Sequence, residues 1–341
     1  MRKKKPHKTY PLERSPLWRL QSQKELAILL GLKKASFKQM VTECEFHYKT
    51  WTGMANGKMR KFAVPVHRLR KIHEHLKRLL DRIEKPAYLY SPRTGYSSIQ
   101  NAVVHSNSEQ VFKIDIRQFY PSTTREHVFQ FCLYRLKMSD DVAGAFAKLT
   151  TFEGRTPFGS PLSPILCFLT HKDIFDSINR ICGTQGNKLS LWVDDLTISG
   201  PRVIGELIYE VKRLIETKGL GHHKEQCRHT SSGIVVTGTH VSSKVIAPAN
   251  KHHLKFRDKL RQLDRTSESH DRLALVTSLL GMIDNALAIF SAGAPARERA
   301  KKRRQWLHNE RRRLRKETED KHVLASKEML ATTIDKEVPW L

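Results

Sequence analysis

The chain has 341 residues, of which 39% are hydrophobic and 28% are charged, and this composition is typical of a folded protein. Its formal net charge of +27 predicts a polyanionic partner. Nucleic acid fits better than a membrane surface, because the cations are spread along the chain and not gathered on one amphipathic segment. No apolar run is expected to span a membrane, no secretory signal is evident, and the five scattered cysteines contain no C-x-x-C pair, which together predict a reducing intracellular location.

The amino-terminal third is predicted to contain helices and one β-hairpin. Residues 1–20 form a basic arm, and Ser22 opens a helix with a capping box. Asn56-Gly57 lies between two runs typical of strands and predicts a hairpin turn, which places Lys58 and Arg60 on or beside a projecting hairpin.

A basic helix is predicted over residues 66–84, with apolar residues at the spacing of one buried face. A loop rich in proline, glycine and serine follows over 91–98, and a short helix then carries Asn101 and His105. A single histidine in such a helix is, taken alone, more often structural than catalytic.

Three carboxylates lie at the ends of predicted strands. Residues 111–116 predict a strand that carries Asp115, and residues 189–200 predict two strands joined by a tight turn with Asp194 and Asp195 at its tip. Two like charges at a turn indicate a bound cation, and three carboxylates on neighbouring strand ends are what two-metal phosphoryl transfer requires.

The carboxyl-terminal part is predicted to be helical and increasingly basic from about residue 249. The pair His222-His223 is more often part of a basic surface loop than a metal site, since no third ligand is evident. The run of arginine and lysine over residues 297–316 is ordinarily a solvated helix face. In a chain of this charge, a helix that binds nucleic acid is the better interpretation.

These residues, taken in order, resemble the motifs of retron-type bacterial reverse transcriptases over most of residues 22–290. The chain departs from the family in having Trp192 and Val193 before the paired acids, and Phe158 where the family has glutamine. The matching segments are Arg60-x-x-x-x-Pro65, Gly95-x-Ser97, Asn101-Ala102-x-x-His105, Asp115-Ile116-x-x-Phe119-Tyr120-Pro121-Ser122, Gly159-x-Pro161-x-Ser163-Pro164, Asp194-Asp195 and Val236-Thr237-Gly238.

The resemblance implies the α+β fold of right-hand polymerases. Fingers are expected over residues 21–110, an antiparallel-sheet palm with the catalytic acids over 111–245, and a basic helical thumb with a C-terminal tail over 246–341. The basic arm over 1–20 precedes them.

The resemblance also implies roles for individual residues. Asp115, Asp194 and Asp195 are the expected catalytic residues, and together with Ile116 they are expected to bind two Mg²⁺ ions, for which Mn²⁺ is a substitute. Tyr120 is expected to stack under the sugar and to exclude a 2′-hydroxyl. The expected nucleotide-binding residues are Lys58, Arg60, Arg93, Tyr120, Phe158 and Gly159, and the expected RNA-binding residues are Asn101, His105, Val236, Thr237, Gly238, Arg311, Arg312 and Arg313.

The implied activity is that of a retron RNA-directed DNA polymerase. Such an enzyme copies part of its own structured noncoding RNA, from dNTPs, into branched multicopy single-stranded DNA, in the bacterial cytoplasm and in antiphage defence. Its implied partners are that RNA, the RNA–DNA product and an effector protein encoded alongside, and no membrane. Two alternatives stay open: a group II intron-like or other bacterial reverse transcriptase, and a non-catalytic RNA-binding scaffold that keeps the palm.

Overall fold

The structure is a computed structural model that describes residues 8–55, 57–242, 246–290 and 293–334, with side chains as far as residue 320. Its contacts divide the chain into two compact units, Met1–Thr230 and Ser231–Leu341, and each unit has its own hydrophobic core. The division falls after Thr230, whereas the sequence predicted the end of the palm at residue 245.

The first unit begins with helices and one antiparallel hairpin. The Ser22 side chain accepts a hydrogen bond from the Glu25 backbone N–H and caps the first helix, as predicted. The hairpin pairs Ala55 with Lys58, which confirms the predicted turn, although Asn56 itself lies outside the described residues. The elements are α1 (Gln23–Leu29), α2 (Lys34–Glu43), β1 (Tyr48–Ala55), β2 (Lys58–Pro65) and α3 (His67–Leu80).

A five-stranded sheet with surrounding helices forms the rest of the first unit. Its strand order is β3-β5-β6-β4-β7, and every neighbouring pair is antiparallel except β3 with β5. The elements are β3 (Leu89–Ser91), α4 (Ser98–Val103), β4 (Gln110–Ile116), α5 (Phe119–Ser122), α6 (Arg125–Gln130), α7 (Asp140–Thr150), α8 (Ser163–Thr170), α9 (Lys172–Thr184), β5 (Lys188–Trp192), β6 (Asp195–Gly200), α10 (Gly205–Glu216) and β7 (His222–His229).

The strands β5 and β6 are buried on both faces, so the polar side chains on one face need partners inside the protein. His105 supplies them: its Nδ1 lies 2.6 Å from Ser199 Oγ, and its Nε2 lies 2.7 Å from Ser190 Oγ. Ser108 Oγ donates a further hydrogen bond to Ser199 Oγ at 2.8 Å. The segment after α4 is thereby fastened to both central strands of the sheet.

This arrangement corrects one prediction. Asn101 and His105 were expected to bind RNA, but both side chains are 0% exposed, so they do not reach a ligand outside the core. Their physical role here is to pack α4 against the sheet, which is the structural role that a lone histidine in a short helix most often has.

The second unit consists of a small antiparallel sheet and three helices. The strand order is β10-β9-β8, and the Val236-Thr237-Gly238 segment forms the β8–β9 turn, with φ of 43° at Thr237 and 86° at Gly238. Val236 was expected to bind RNA, but its side chain is fully buried and does not reach a ligand outside the core. The elements are β8 (Ile234–Val236), β9 (Thr239–Val241), β10 (Ile246–Pro248), α11 (Asn250–Arg265), α12 (Ser269–Ile289) and α13 (Pro295–Ile334).

Among the described residues, α12 alone is long and apolar enough to cross a membrane by length and composition, with a mean hydropathy of 1.4. The prediction that no run has this length was therefore wrong. A core helix passes the same test, and Val276, Leu279, Leu280 and Ile283 of α12 lie in the core of the second unit.

Burial keeps three core histidines of the first unit neutral. It lowers the pKa of His73 to about 4 and the pKa values of His105 and His171 to about 3. Each ring is hydrogen-bonded; His73, for example, has its Nδ1 2.7 Å from Ser160 Oγ and its Nε2 2.8 Å from the Leu149 carbonyl oxygen. An unfolded histidine binds a proton near pH 6.5, so the unfolded state takes up protons before the folded state does.

We expect the free energy of unfolding to fall as the pH drops below 6.5, and each buried histidine contributes a slope of about 1.4 kcal/mol per pH unit. His105→Gln should be less stable at pH 7 by about 1–3 kcal/mol, because Ser190 and Ser199 lose their partner. The free energy of unfolding of this variant should nevertheless fall less steeply than that of the wild type as the pH is lowered. Urea denaturation at pH 7 and pH 5.5 measures both quantities, and an unchanged slope would mean that folded His105 binds a proton.

Candidate active site

The predicted acids meet at one end of the sheet. Trp192 pairs with Asp195, so Val193 and Asp194 form the two-residue turn between β5 and β6. Asp195 lies opposite Asp115 on the neighbouring strand β4. The turn is anchored on both sides, because the Ile116 N–H donates to the Asp194 carbonyl oxygen at 2.8 Å and the Val193 N–H donates to the Ser91 carbonyl oxygen at 2.9 Å.

The surroundings of Asp194 raise the pKa of its carboxyl group. Burial raises this pKa to about 6, and the negative charges of Asp115 and Asp195 add to the effect. Among the described side chains, Asp194 forms no ion pair. A carboxyl group of this kind favours the arrival of a cation, which would stabilise its charged form.

Cationic side chains neighbour the other two acids. Lys224 Nζ donates to Asp115 Oδ2 at 2.5 Å, and His223 Nδ1 lies 3.3 Å from Asp115 Oδ1. Lys113 Nζ lies 3.9 Å from Asp195 Oδ1. Within the described residues no three histidine, cysteine or acidic side chains are already arranged as a metal site. The three carboxylates are nevertheless the hard oxygen donors that suit Mg²⁺, so the donor chemistry fits that ion.

Sequence reasoning missed Lys113 and His223. Lys113 could have been found, since it lies two residues before Asp115 and therefore on the same face of β4. His223 could not, because its place opposite Asp115 follows from the pairing of β4 with β7, which are far apart in the chain.

The turn holds a valine in a strained conformation. Val193 has φ of 60°, the left-handed region that β-branched residues rarely adopt. Hairpin turns of two residues usually place glycine, asparagine or aspartate at such a position. The turn therefore holds backbone strain directly beside Asp194.

An aromatic cluster brings four predicted nucleotide-binding residues together. The Arg60 guanidinium lies 4.6 Å from the centre of the Phe158 ring, and the rings of Phe158 and Tyr120 are 5.8 Å apart. Burial raises the pKa of Tyr120, and the nearby Asp194 charge raises it further. Gly159 has φ of 122°, and a Cβ there would lie 2.7 Å from Val64 Cγ2, so another residue would disrupt the packing against β2.

The Arg60 side chain keeps one buried polar atom, its Nε, without a hydrogen-bond partner among the described residues. Phe158 cannot make the polar contact of the family's glutamine, but it supplies a flat surface that orients the Arg60 guanidinium instead. The departure at residue 158 is thus accommodated by stacking.

The remaining two nucleotide-binding predictions differ in outcome. Lys58 is exposed at the start of β2. Arg93 stacks on Tyr96 at 4.1 Å and donates to the Pro86 carbonyl oxygen at 2.9 Å, so its guanidinium holds its own loop together.

The three predicted RNA-binding arginines of α13 are not equivalent. Arg313 pairs with Glu310 at 2.8 Å and lies 3.7 Å from Glu317. Arg311 is half-buried beside His308. Arg312 is exposed and forms no ion pair with any described side chain, so it is the most available of the three.

Residues 47–256 match the sequence profile of the reverse transcriptase (RNA-dependent DNA polymerase) family. The chain is 25% identical over 248 residues to the retron Se72 reverse transcriptase of Salmonella heidelberg, covering 68% of this chain and 65% of the relative. It is 24% identical over 168 residues to the retron Ec86 reverse transcriptase of Escherichia coli, covering 48% and 52%. The chain thus spans between about half and two thirds of the length of these relatives.

Solved structures with some similarity include two polymerases. One is apo telomerase from Candida Tropicalis truncated from its C-terminal domain, with a TM-score of 0.44 and 11% identity over 62% of this chain and 59% of that one. The other is the foamy viral protease-reverse transcriptase in complex with an RNA/DNA hybrid, with a TM-score of 0.42 and 14% identity over 70% of this chain and 27% of that one.

We expect Val193→Gly to leave the free energy of unfolding nearly unchanged, because relief of about 1–2 kcal/mol of left-handed strain offsets the lost burial of the side chain. Val41→Gly is the matched control, since Val41 is also partly buried against the same core but lies within α2. That control should lose about 2 kcal/mol. Equal losses in urea denaturation would show that the turn is unstrained.

Proposed function

Because the chain belongs to the reverse transcriptase (RNA-dependent DNA polymerase) family, we propose that it acts as an RNA-directed DNA polymerase of the retron type. The α+β right-hand polymerase fold that the sequence predicted is the fold of this family, so that prediction is confirmed. The observation that carries the proposed activity is the pairing of Asp115 with Asp195 across adjacent strands, with Asp194 at the adjoining turn.

In the proposed mechanism the three acids, with the backbone carbonyl of Ile116, would hold two Mg²⁺ ions or their Mn²⁺ substitutes. When bound, these ions lower the pKa of the attacking hydroxyl and stabilise the leaving pyrophosphate. Lys224 pairs with Asp115 in this structure, so Asp115 would have to exchange that contact for a metal ion. A cation beside Asp194 would favour its charged form and so would lower its elevated pKa.

The aromatic cluster positions the incoming dNTP in this proposal. Arg60 presents its guanidinium, stacked on Phe158, to the triphosphate. Tyr120 belongs to that cluster and is close enough to Asp194 for the Asp194 charge to raise its pKa; there its ring would meet a 2′-hydroxyl and so select deoxyribonucleotides. Lys58 adds a second cation from the hairpin.

The retron assignment rests on similarity to the curated relatives and on the two signatures around Asn101 and Val236. We accordingly propose a structured noncoding RNA as template, a branched RNA–DNA product, an antiphage role with an effector protein, and a bacterial cytoplasmic location. Exposed cations such as Arg312 would contact RNA phosphates, which position the RNA without reading bases.

We expect Asp194→Asn to reduce dNTP incorporation on an RNA template by at least about 10³-fold, because a neutral amide is a poor ligand for Mg²⁺. Binding of the RNA should change little, since the basic surface carries the affinity. Asp173→Asn is the matched control: Asp173 pairs with Lys218 away from the turn, and its variant should keep its activity. Near wild-type synthesis by Asp194→Asn would refute the catalytic assignment.

The template is identified by sequencing the nucleic acid that co-purifies with the full chain. We expect one structured RNA, joined in the wild-type protein to DNA through an internal 2′-hydroxyl, and the same RNA without DNA in Asp194→Asn. Unbranched DNA copied from unrelated RNAs would instead favour another class of bacterial reverse transcriptase. RNA without DNA in the wild type would favour the non-catalytic scaffold.

A further inference from the structure

A groove of about 1210 Å³ lies within the second unit, between α11, α12 and α13. It follows α11 from His252 to Asp264, a distance of about 18 Å, or roughly three turns of helix. The volume exceeds that of an ordinary small-molecule pocket, which is about 300–1,000 Å³. The groove therefore has the dimensions of a site for a segment of polypeptide or nucleic acid.

One wall of the groove is a second face of α12. Its core face packs through Val276, Leu279 and Leu280, whereas Met282 and Ala286 lie on the face that lines the groove, and the buried Ile283 borders both. Only 33% of the apolar window of α12 is buried. The helix therefore keeps apolar surface uncovered, and such a surface usually marks an interaction site.

Aromatic side chains complete the apolar lining. Phe256 contributes from α11, Phe290 from the end of α12, and Trp306 from α13. Trp306 is 49% exposed. Large aromatic residues in a partly enclosed apolar groove are typical of the anchor positions that contribute most to protein–protein binding.

The rim of the groove is positively charged. Arg299, Lys302 and Arg303 lie along α13, and none of them forms an ion pair with a described side chain. His253 lies on the opposite side, and the one acidic lining residue is Asp264. An occupant that carries carboxylates along the side of its apolar surface that meets α13 matches this pattern.

A second copy of this chain matches the groove poorly. It carries a net charge of +27 and would be repelled by the rim.

We propose that this groove binds an amphipathic helix of a partner protein, with an apolar face flanked on one side by aspartate and glutamate. Apolar residues at spacings of three and four would enter between Phe256, Met282 and Trp306, in the way that helices dock into hydrophobic grooves. The flanking carboxylates would meet Arg299 and Arg303. RNA is the competing occupant, since its bases could stack on the aromatic rings. The helix is favoured because much of the lining is aliphatic, as at Leu260, Met282 and Ala286, and suits leucine-like side chains better than bases.

The probe is a fluorescein-labelled peptide of 18 residues with leucine on one helical face and glutamate along one flank of that face. Its controls are a scrambled peptide of the same composition, the same helix with lysine for glutamate, and a single-stranded RNA of 20 nucleotides. Anisotropy titrations use the full chain freed of nucleic acid. We expect the acidic helix to bind at least about tenfold more tightly than either control peptide.

Variants of the chain then locate the binding site. Met282→Glu places a carboxylate in the groove and should weaken peptide binding by about tenfold or more. Arg303→Glu and Arg312→Glu form a matched pair, since both residues are exposed on α13 but only Arg303 lines the groove. We expect weaker binding for Arg303→Glu alone, and this pair decides the question even if Met282→Glu fails to fold.

Three outcomes would overturn the proposal. The scrambled peptide could bind as tightly as the designed helix, which would show that amino-acid composition and not the helical pattern determines the affinity. Arg312→Glu could weaken peptide binding as much as Arg303→Glu does, which would show that the overall charge of the chain and not the groove determines the affinity. Finally, RNA binding could be lost in Arg303→Glu and Met282→Glu while peptide binding is unaffected, which would assign the groove to RNA.

Discussion

Electrostatic repulsion among three carboxylates is the constraint on which the active end of the sheet depends. The pKa of Asp194 is raised to about 6. Burial of its carboxyl group is the largest cause, and the negative charges of the neighbouring acids raise the pKa further. Side chains alone would move apart, so the backbone has to impose the arrangement. It does so through the register that places Asp115 opposite Asp195 and through the hydrogen bond from the Ile116 N–H to the Asp194 carbonyl oxygen.

Support for this arrangement comes from polar groups buried away from the turn. His105 joins Ser190 of β5 to Ser199 of β6, and in a low-dielectric interior such a satisfied network resists sliding of one strand past the other. The strain at Val193 is tolerated because the strands on both sides are held in this way. The buried His105 of the motif that resembles a family signature thus forms part of the scaffold of the site.

The large positive charge of the chain is divided between cations with different tasks. Some are paired within the fold, as Lys61 is with Glu153 and Arg313 is with Glu310. Lys224 and Lys113 neighbour the acids and balance their charge. Others, such as Arg303 and Arg312, are exposed and have no acidic partner among the described side chains, and these are the ones available to an anionic ligand. Net charge alone does not distinguish the three groups.

The sequence by itself determined the features that depend on neighbouring residues: the hairpin at Asn56-Gly57, the strand carrying Asp115 and the turn at Asp194-Asp195. Alternation of side chains and turn chemistry are local properties, so they can be read without a structure. Tertiary structure alone decided the burial of His105, whose partners lie 85 and 94 positions away, and the approach of His223 to Asp115. It also decided which face of α12 stays uncovered. Such features follow from long-range packing and strand order, which local patterns do not encode.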